Sequence, residues 1–155
     1  MSMLNRFRKS GGFTQLLVLL ESCDSEKQKQ LLHLIATEDP GWAHLVKLKV
    51  LTVDKILNWP NSVLQEITPH IPDSLHLSLL LSFNQTPQQD KWLQALPTMR
   101  GRDLRERMTH YKENPQEAVS ASIKLIQIIR ELETEGKIVF KNFDPSLVVD
   151  HRLVA

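Results

Sequence analysis

Cysteine occurs once in this 155-residue chain, glycine five times, and aromatic side chains make up only 6%. The single cysteine, Cys23, has no partner for an internal disulfide and suits a reducing compartment. So few aromatics and glycines argue against an aromatic-rich β-sandwich with its many tight turns. Charge of one sign is missing too: 19 Lys+Arg against 18 Asp+Glu leave a net charge of +1. That excludes the strong basic excess of a dedicated nucleic-acid or anionic-membrane binder. The longest uninterrupted apolar run, Leu16–Leu20, ends at Glu21, far short of the ~20 residues that cross a bilayer.

Arg6, Arg8 and Lys9 make residues 1–10 a basic lead, expected to be flexible. No small-residue cleavage pattern follows the apolar stretch, so a secretory leader is not expected and a cytoplasmic location is. The sequon-like Asn84-Gln85-Thr86 carries no weight in that setting.

What the chain has is leucine, 25 times, within 41% apolar residues. Leucine-rich, glycine-poor sequence favours helices. Gly11-Gly12 opens a first helix, Phe13–Ser22, and Asp24 or Ser25 caps a second over Glu26–Thr37. Asp39-Pro40 launches a third, with proline at the first helical position. After Val50–Val53, a stretch of no clear type, the short pattern Ile56, Leu57, Trp59 leads to a helix begun by Pro60-Asn61-Ser62 and stopped near Pro69. The segment from Pro72-Asp73-Ser74 through Leu81 has almost no polar face, which marks a buried central helix. Thr86-Pro87 reads as an N-cap and proline start, with Trp92, Leu93 and Leu96 inward. Pro115–Glu135 is the longest helix, with Val119, Ile123, Ile126 and Ile129–Leu132 expected inward and a stop at Gly136. Lys137–Phe140 reads as a short extended piece. Short amphipathic helices with proline-punctuated turns make either a compact bundle or an armadillo-like stack.

One segment stands apart. Between Arg100 and Lys112 the chain carries Arg102, Arg105 and Arg107 among Asp103 and Glu106, with only Leu104, Met108 and Tyr111 apolar. Those three fall at i, i+4 and i+7, a narrow inward face beneath a charged one. The charged face is open to two readings. It is a solvated surface with pairs such as Arg100–Asp103, Arg102–Glu106 and Asp103–Arg107, or it docks the charges of another protein. A nucleic-acid groove lacks its stacking aromatics.

Catalytic and metal signatures are missing: no phosphate-binding glycine loop, no nucleophile elbow, no zinc-protease motif. The six histidines (His33, His44, His70, His76, His110, His151) include no pair at i,i+3 or i,i+4, so neither a metal site nor a cofactor is expected. His76, among leucines, reads as a satisfied core residue, and a small-ligand or enzymatic reading would require a closed polar pocket around His76 and His44.

The order of several motifs resembles the C-terminal half of the bacterial flagellar motor switch family FliG. Gly11-Gly12 with its leucine-rich helix and Glu38-Asp39-Pro40 resemble the opening of that family's armadillo unit. Val50-Leu51-Thr52-Val53 falls where the family has an MFxF hinge, here without Met or Phe. His76–Leu81 resembles its DLALAL-type buried helix, Asp90-Lys91-Trp92-Leu93 its EKIF segment, and Ile126–Val139 its closing RRLEExGEIVI stretch. The similarity runs from about Gly11 to Phe140.

The resemblance implies an all-α fold, an armadillo-like helical stack followed by a compact multi-helix subdomain. Residues 11–49 would be the armadillo-like unit, 50–59 a hinge-like segment (Val50, Leu51, Thr52, Val53), 60–140 the C-terminal subdomain and 141–155 a tail. It implies a non-enzymatic module that docks partners through a charged helix, about Pro97–Tyr111, using Arg100, Arg102, Arg105, Glu106 and Arg107. Partners would be flagellar rotor or stator proteins, or further copies through helix stacking. Location would be cytoplasmic, peripheral to the inner membrane through a protein complex. A family acid pair falls at Glu106 and Arg107, one kept and one reversed in sign, and a family arginine falls at Met99. The alternative is a stand-alone helical scaffold without a role in motility, binding a partner helix through apolar grooves or Leu147–Val154.

Overall fold

A computed structural model describes residues 2–154; Met1, Ala155 and the side chains of His151 and Leu153, all in the expected lead and tail, lie outside the described set. The described residues hold helices and turns and no strand, as the composition requires. They form two units, one reaching to Leu51 and resuming at Phe140, the other running from Thr52 to Val139.

The first unit begins with a 3-10 helix, Leu4–Phe7, followed by α1 (Gly12–Glu21), α2 (Ser25–Glu38) and α3 (Pro40–Lys49). Gly11 turns the chain at φ 77°, a conformation that costs other residues strain. Gly12 meets a different need, because a Cβ there would lie 1.9 Å from the Phe7 carbonyl oxygen. Asp24, one of the two residues expected to cap α2, accepts from Lys27 N–H at 2.9 Å, and Asp39, next to the expected Pro40 start, caps α3 by accepting from Trp42 N–H at 3.1 Å. Each such cap contributes about 1 kcal/mol. Leu16, Leu17, Leu20, Ile35 and Val46 are buried together, and Phe13 meets Trp42 edge to face at 5.3 Å.

Both ends of the chain depart from the sequence expectation. The basic lead is folded rather than loose, since Leu4 is fully buried and Phe7 nearly so. Glu38 holds it by accepting from Ser2 Oγ at 2.7 Å and from the Met3 and Leu4 N–H groups. Arg8 reaches Asp39 at 2.9 Å and lies over the Trp42 ring. The tail does not stand apart either: Leu147 and Val154 are buried, and Lys49 Nζ donates to the Ser146 carbonyl. Alternating charges masked these two short apolar anchors in the sequence.

The second unit contains α4 (Val53–Leu57), α5 (Asn61–Ile67) with a 3-10 turn at Thr68–His70, α6 (Asp73–Ser82), α7 (Thr86–Gln94), α8 (Thr98–Met108) and α9 (Pro115–Thr134). The expected central helix is α6, which packs on both α8 and α9. Its Leu75, His76, Leu79 and Leu80 are buried. Three local expectations change. Gln85, not Thr86, precedes the first turn of α7 and Thr86 caps nothing. On α9 the buried side is Ala121, Leu125, Ile129 and Leu132, with Ile126 beside it, so Val119 faces solvent and Ile123 is half-buried. Lys137–Phe140 is turn and the start of a 3-10 helix rather than extended, because Gly136 at φ 76° ends α9 and redirects the chain.

Candidate functional site

The charged segment becomes α8, starting directly after Pro97. Gly101 and Leu104 are its buried residues. A Cβ on Gly101 would approach the Leu93 carbonyl oxygen to 3.3 Å, so glycine lets α8 settle close against the end of α7. Met108 is half-buried at the next inward position. Tyr111, expected inward, is exposed because the helix ends at Met108 before the turn can carry it round.

The basic side chains are then sorted by their neighbours. Arg100, half-exposed near the start of the helix, pairs with Asp73 on α6 rather than with Asp103. The guanidinium holds the Asp73 carboxyl below the usual carboxylate range. Arg105 reaches Asp90 on α7 at 3.0 Å, and Arg107 pairs with Asp103 one turn back at 3.2 Å. Of the three pairs expected along the helix, therefore, only Asp103–Arg107 forms. Arg102 and Glu106 are exposed and make no ion pair among the described residues. Met99, on the same side one turn earlier, is 82% exposed.

The outward face of α8 thus presents an apolar tip, a cation and an anion in succession, at positions 99, 102 and 106. Arg102 and Glu106 are among the residues the sequence nominates. Arg100, Arg105 and Arg107 border them with their charge already answered inside the chain. Asp73 and Asp90 escape a reading of the segment alone, since they come from other helices. Met99 could have been noticed as an apolar residue off the inward stripe.

Beneath this face lies His76. Its Nδ1 accepts from Trp92 Nε1–H at 2.9 Å and its Nε2 lies 3.2 Å from the Thr68 carbonyl oxygen. An acceptor Nδ1 and a donor Nε2 fix the neutral tautomer. Burial lowers its pKa below 6.5. Both nitrogens are used within the core, and His44 is exposed on α3. A groove of about 430 Å³ between α6 and α9 is open and lined by Ser74, Ser78, Ser120, Lys124 and Glu131, without His76. No group of three His, Cys, Asp or Glu side chains suited to a metal ion occurs among the described residues, and no described helix is long and apolar enough to cross a membrane.

The family signature of the FliG C-terminal domain matches residues 33–140. The chain belongs to the FliG C-terminal domain family. The flagellar motor switch protein FliG of Borreliella burgdorferi is 24% identical over 134 residues, covering 86% of this chain and 39% of that protein. The chain therefore spans well under half the length of this relative. Two crystal structures of FliG from H. pylori superpose with TM-scores of 0.59 and 0.52, each at 21% identity and over 78% of this chain, covering 57% and 53% of theirs. The FliG-like, armadillo-like all-helical architecture is thereby shared. By its name the Borreliella relative is a flagellar motor switch protein.

Proposed function

We propose that this chain is a cytoplasmic protein-docking module of a flagellar motor switch, contacting rotor or stator proteins through the outward face of α8. The observation that supports the reading most is the contrast within that helix. Arg100, Arg105 and Arg107 each pair with an aspartate, Asp73, Asp90 and Asp103, whereas Arg102 and Glu106 project without such partners. Exposed charges with no internal partner set association rate and partner choice more than affinity. Met99 supplies the apolar contact that such a face needs for a stable complex. A fitting partner presents an acid and a base about one helical turn apart beside an apolar pocket. Val50, Leu51, Thr52 and Val53 would let the docking unit reorient.

The reading is tested by Arg102→Glu and Glu106→Lys, singly and together, in the intact protein of its own cell. Each single reversal is expected to weaken capture of flagellar rotor or stator proteins and impair swimming, with melting unchanged. Unaltered capture and swimming in the double reversal would refute the docking role. Loss of swimming with capture intact would favour a scaffold that acts elsewhere.

A further inference from the structure

The four-residue hinge-like segment is far from uniform. Val50 and Leu51 are buried, Leu51 to 1% exposure, whereas Thr52 and Val53 are half-buried. Val50 N–H completes α3 by donating to the Val46 carbonyl at 2.8 Å. Leu51 N–H lies beyond that helix and donates instead to Glu21 Oε2 at 2.7 Å, across 30 positions of sequence. Glu21, the last residue of α1, is itself only 5% exposed. It follows the apolar run Leu16–Leu20, and its carboxylate receives the chain leaving α3. Thr52, the next residue, serves α4: its Oγ1 accepts from Lys55 N–H at 3.2 Å and its carbonyl from Ile56 N–H.

We propose that Glu21 is a positioning residue that clamps Leu51 to the first unit and so confines the first of the two chain crossings to the torsions joining Leu51 and Thr52. The inference rests on residues 50–53 acting as a hinge and is independent of docking by α8. A hydrogen bond from a buried amide to a carboxylate is short and stronger than one between neutral groups. With the amide of Leu51 fixed from one unit and the side chain of Thr52 committed to the cap of α4, the freedom left at this crossing lies in Leu51 ψ and Thr52 φ; the chain crosses a second time between Val139 and Phe140. Without Glu21 the loose stretch would lengthen back to the end of α3, and the range of orientations would widen.

Amide hydrogen exchange in the full chain tests this, with Val50 as an internal reference in the same core. In the unaltered protein Leu51 should be protected like Val50. Glu21→Met should speed exchange at Leu51 by about tenfold or more, the loss expected for one charge-assisted bond, with Val50 little changed. Glu21→Gln, which keeps a carbonyl acceptor, should restore most of the protection. Spin labels at Lys29→Cys and Glu133→Cys, in a Cys23→Ser background, supply a readout that local packing would not move. Their distance distribution should broaden in Glu21→Met and return in Glu21→Gln. An unprotected Leu51 in the unaltered protein, equal acceleration at Leu51 and Val50, or an unbroadened distribution would each overturn the clamp. None of these measurements involves a partner, so their failure leaves the docking reading standing.

Discussion

Trp92 donates its indole N–H to His76 Nδ1 at 2.9 Å, joining α7 to α6 in the core of the second unit. His76 continues the chain to the Thr68 carbonyl, and the Thr68 hydroxyl lies 3.3 Å from the Ala95 carbonyl. A fully buried imidazole thus satisfies groups from neighbouring elements beneath the charged helix. Replacing it with leucine leaves the indole N–H and the Thr68 carbonyl without that partner. His76→Leu should therefore destabilise the second unit by about 1–3 kcal/mol, read as a lowered denaturant midpoint. A melt equal to that of the unaltered protein would show that the network contributes nothing.

The same histidine gives a pH signature. Burial, the largest influence, lowers its pKa below 6.5 in the folded chain. Below pH 6.5 the unfolded chain takes up a proton that the folded chain refuses, so the unfolded state is favoured. Stability should be constant above about that pH and fall as pH drops beneath it. The fall should be smaller in His76→Leu. Asp73, also lowered, acts in a separate window: its contribution is present above the ordinary value of 3.8 and lost at lower pH. Unfolding curves at pH 7.5, 6, 5 and 3 separate the two; a His76→Leu profile parallel to the unaltered one between pH 7.5 and 5 would contradict the assignment.

Gly12 should accept no side chain. A Cβ placed there meets the Phe7 carbonyl oxygen at 1.9 Å, and that carbonyl belongs to a backbone anchored by Leu4 and Phe7. Gly12→Ala should cost more than about 2 kcal/mol, in the range of severe packing errors, while Gly11→Ala should cost only about 1 kcal/mol for its left-handed backbone. Thermal melts of the two variants check the order, and a milder Gly12→Ala would mean that the first turn can shift.

Glu38 should act as an acid-labile latch for the start of the chain. The Ser2 hydroxyl, then the Met3 and Leu4 amides, lower its pKa below 4.5. Protonation therefore removes stabilisation as pH falls beneath that value. Glu38→Ala should quicken exchange at the Met3 and Leu4 amides and leave amides of α6 and α9 untouched. Exchange rates at these positions, measured by NMR at neutral pH, decide it.

On α8, stability and docking should separate by face. Leu104 is 1% exposed, so Leu104→Ala should cost about 2–5 kcal/mol. Met99→Ala, at a largely solvated position, should leave melting within about 0.5 kcal/mol. Parallel denaturation of the two variants tests which side faces the core.

The helices were legible because their signals are local. Asp24 and Asp39 cap where their spacing indicates, Pro40 and Pro115 start helices, and the leucines of α6 announce its burial. Legibility ended where a residue's role depends on a distant partner. In sequence Arg100 looks paired with Asp103 and Arg105 has no nominated partner, yet Asp73 and Asp90 come to them from other helices. Glu21 looks like the polar end of a leucine run, and only the return of Leu51 gives it a function. Leu4, Phe7 and Leu147 are too few among charges to signal burial by period. Tyr111 failed for a simpler reason: the inward spacing continued past the point where the helix stops.

The central claim is that the face bearing Met99, Arg102 and Glu106 meets a flagellar protein. A photo-crosslinking side chain substituted at Met99, in cells making flagella, tests it most directly. The expected result is an adduct with a rotor or stator protein that disappears when Arg102→Glu and Glu106→Lys are combined. An adduct that survives both reversals, or none with any flagellar protein, would contradict it.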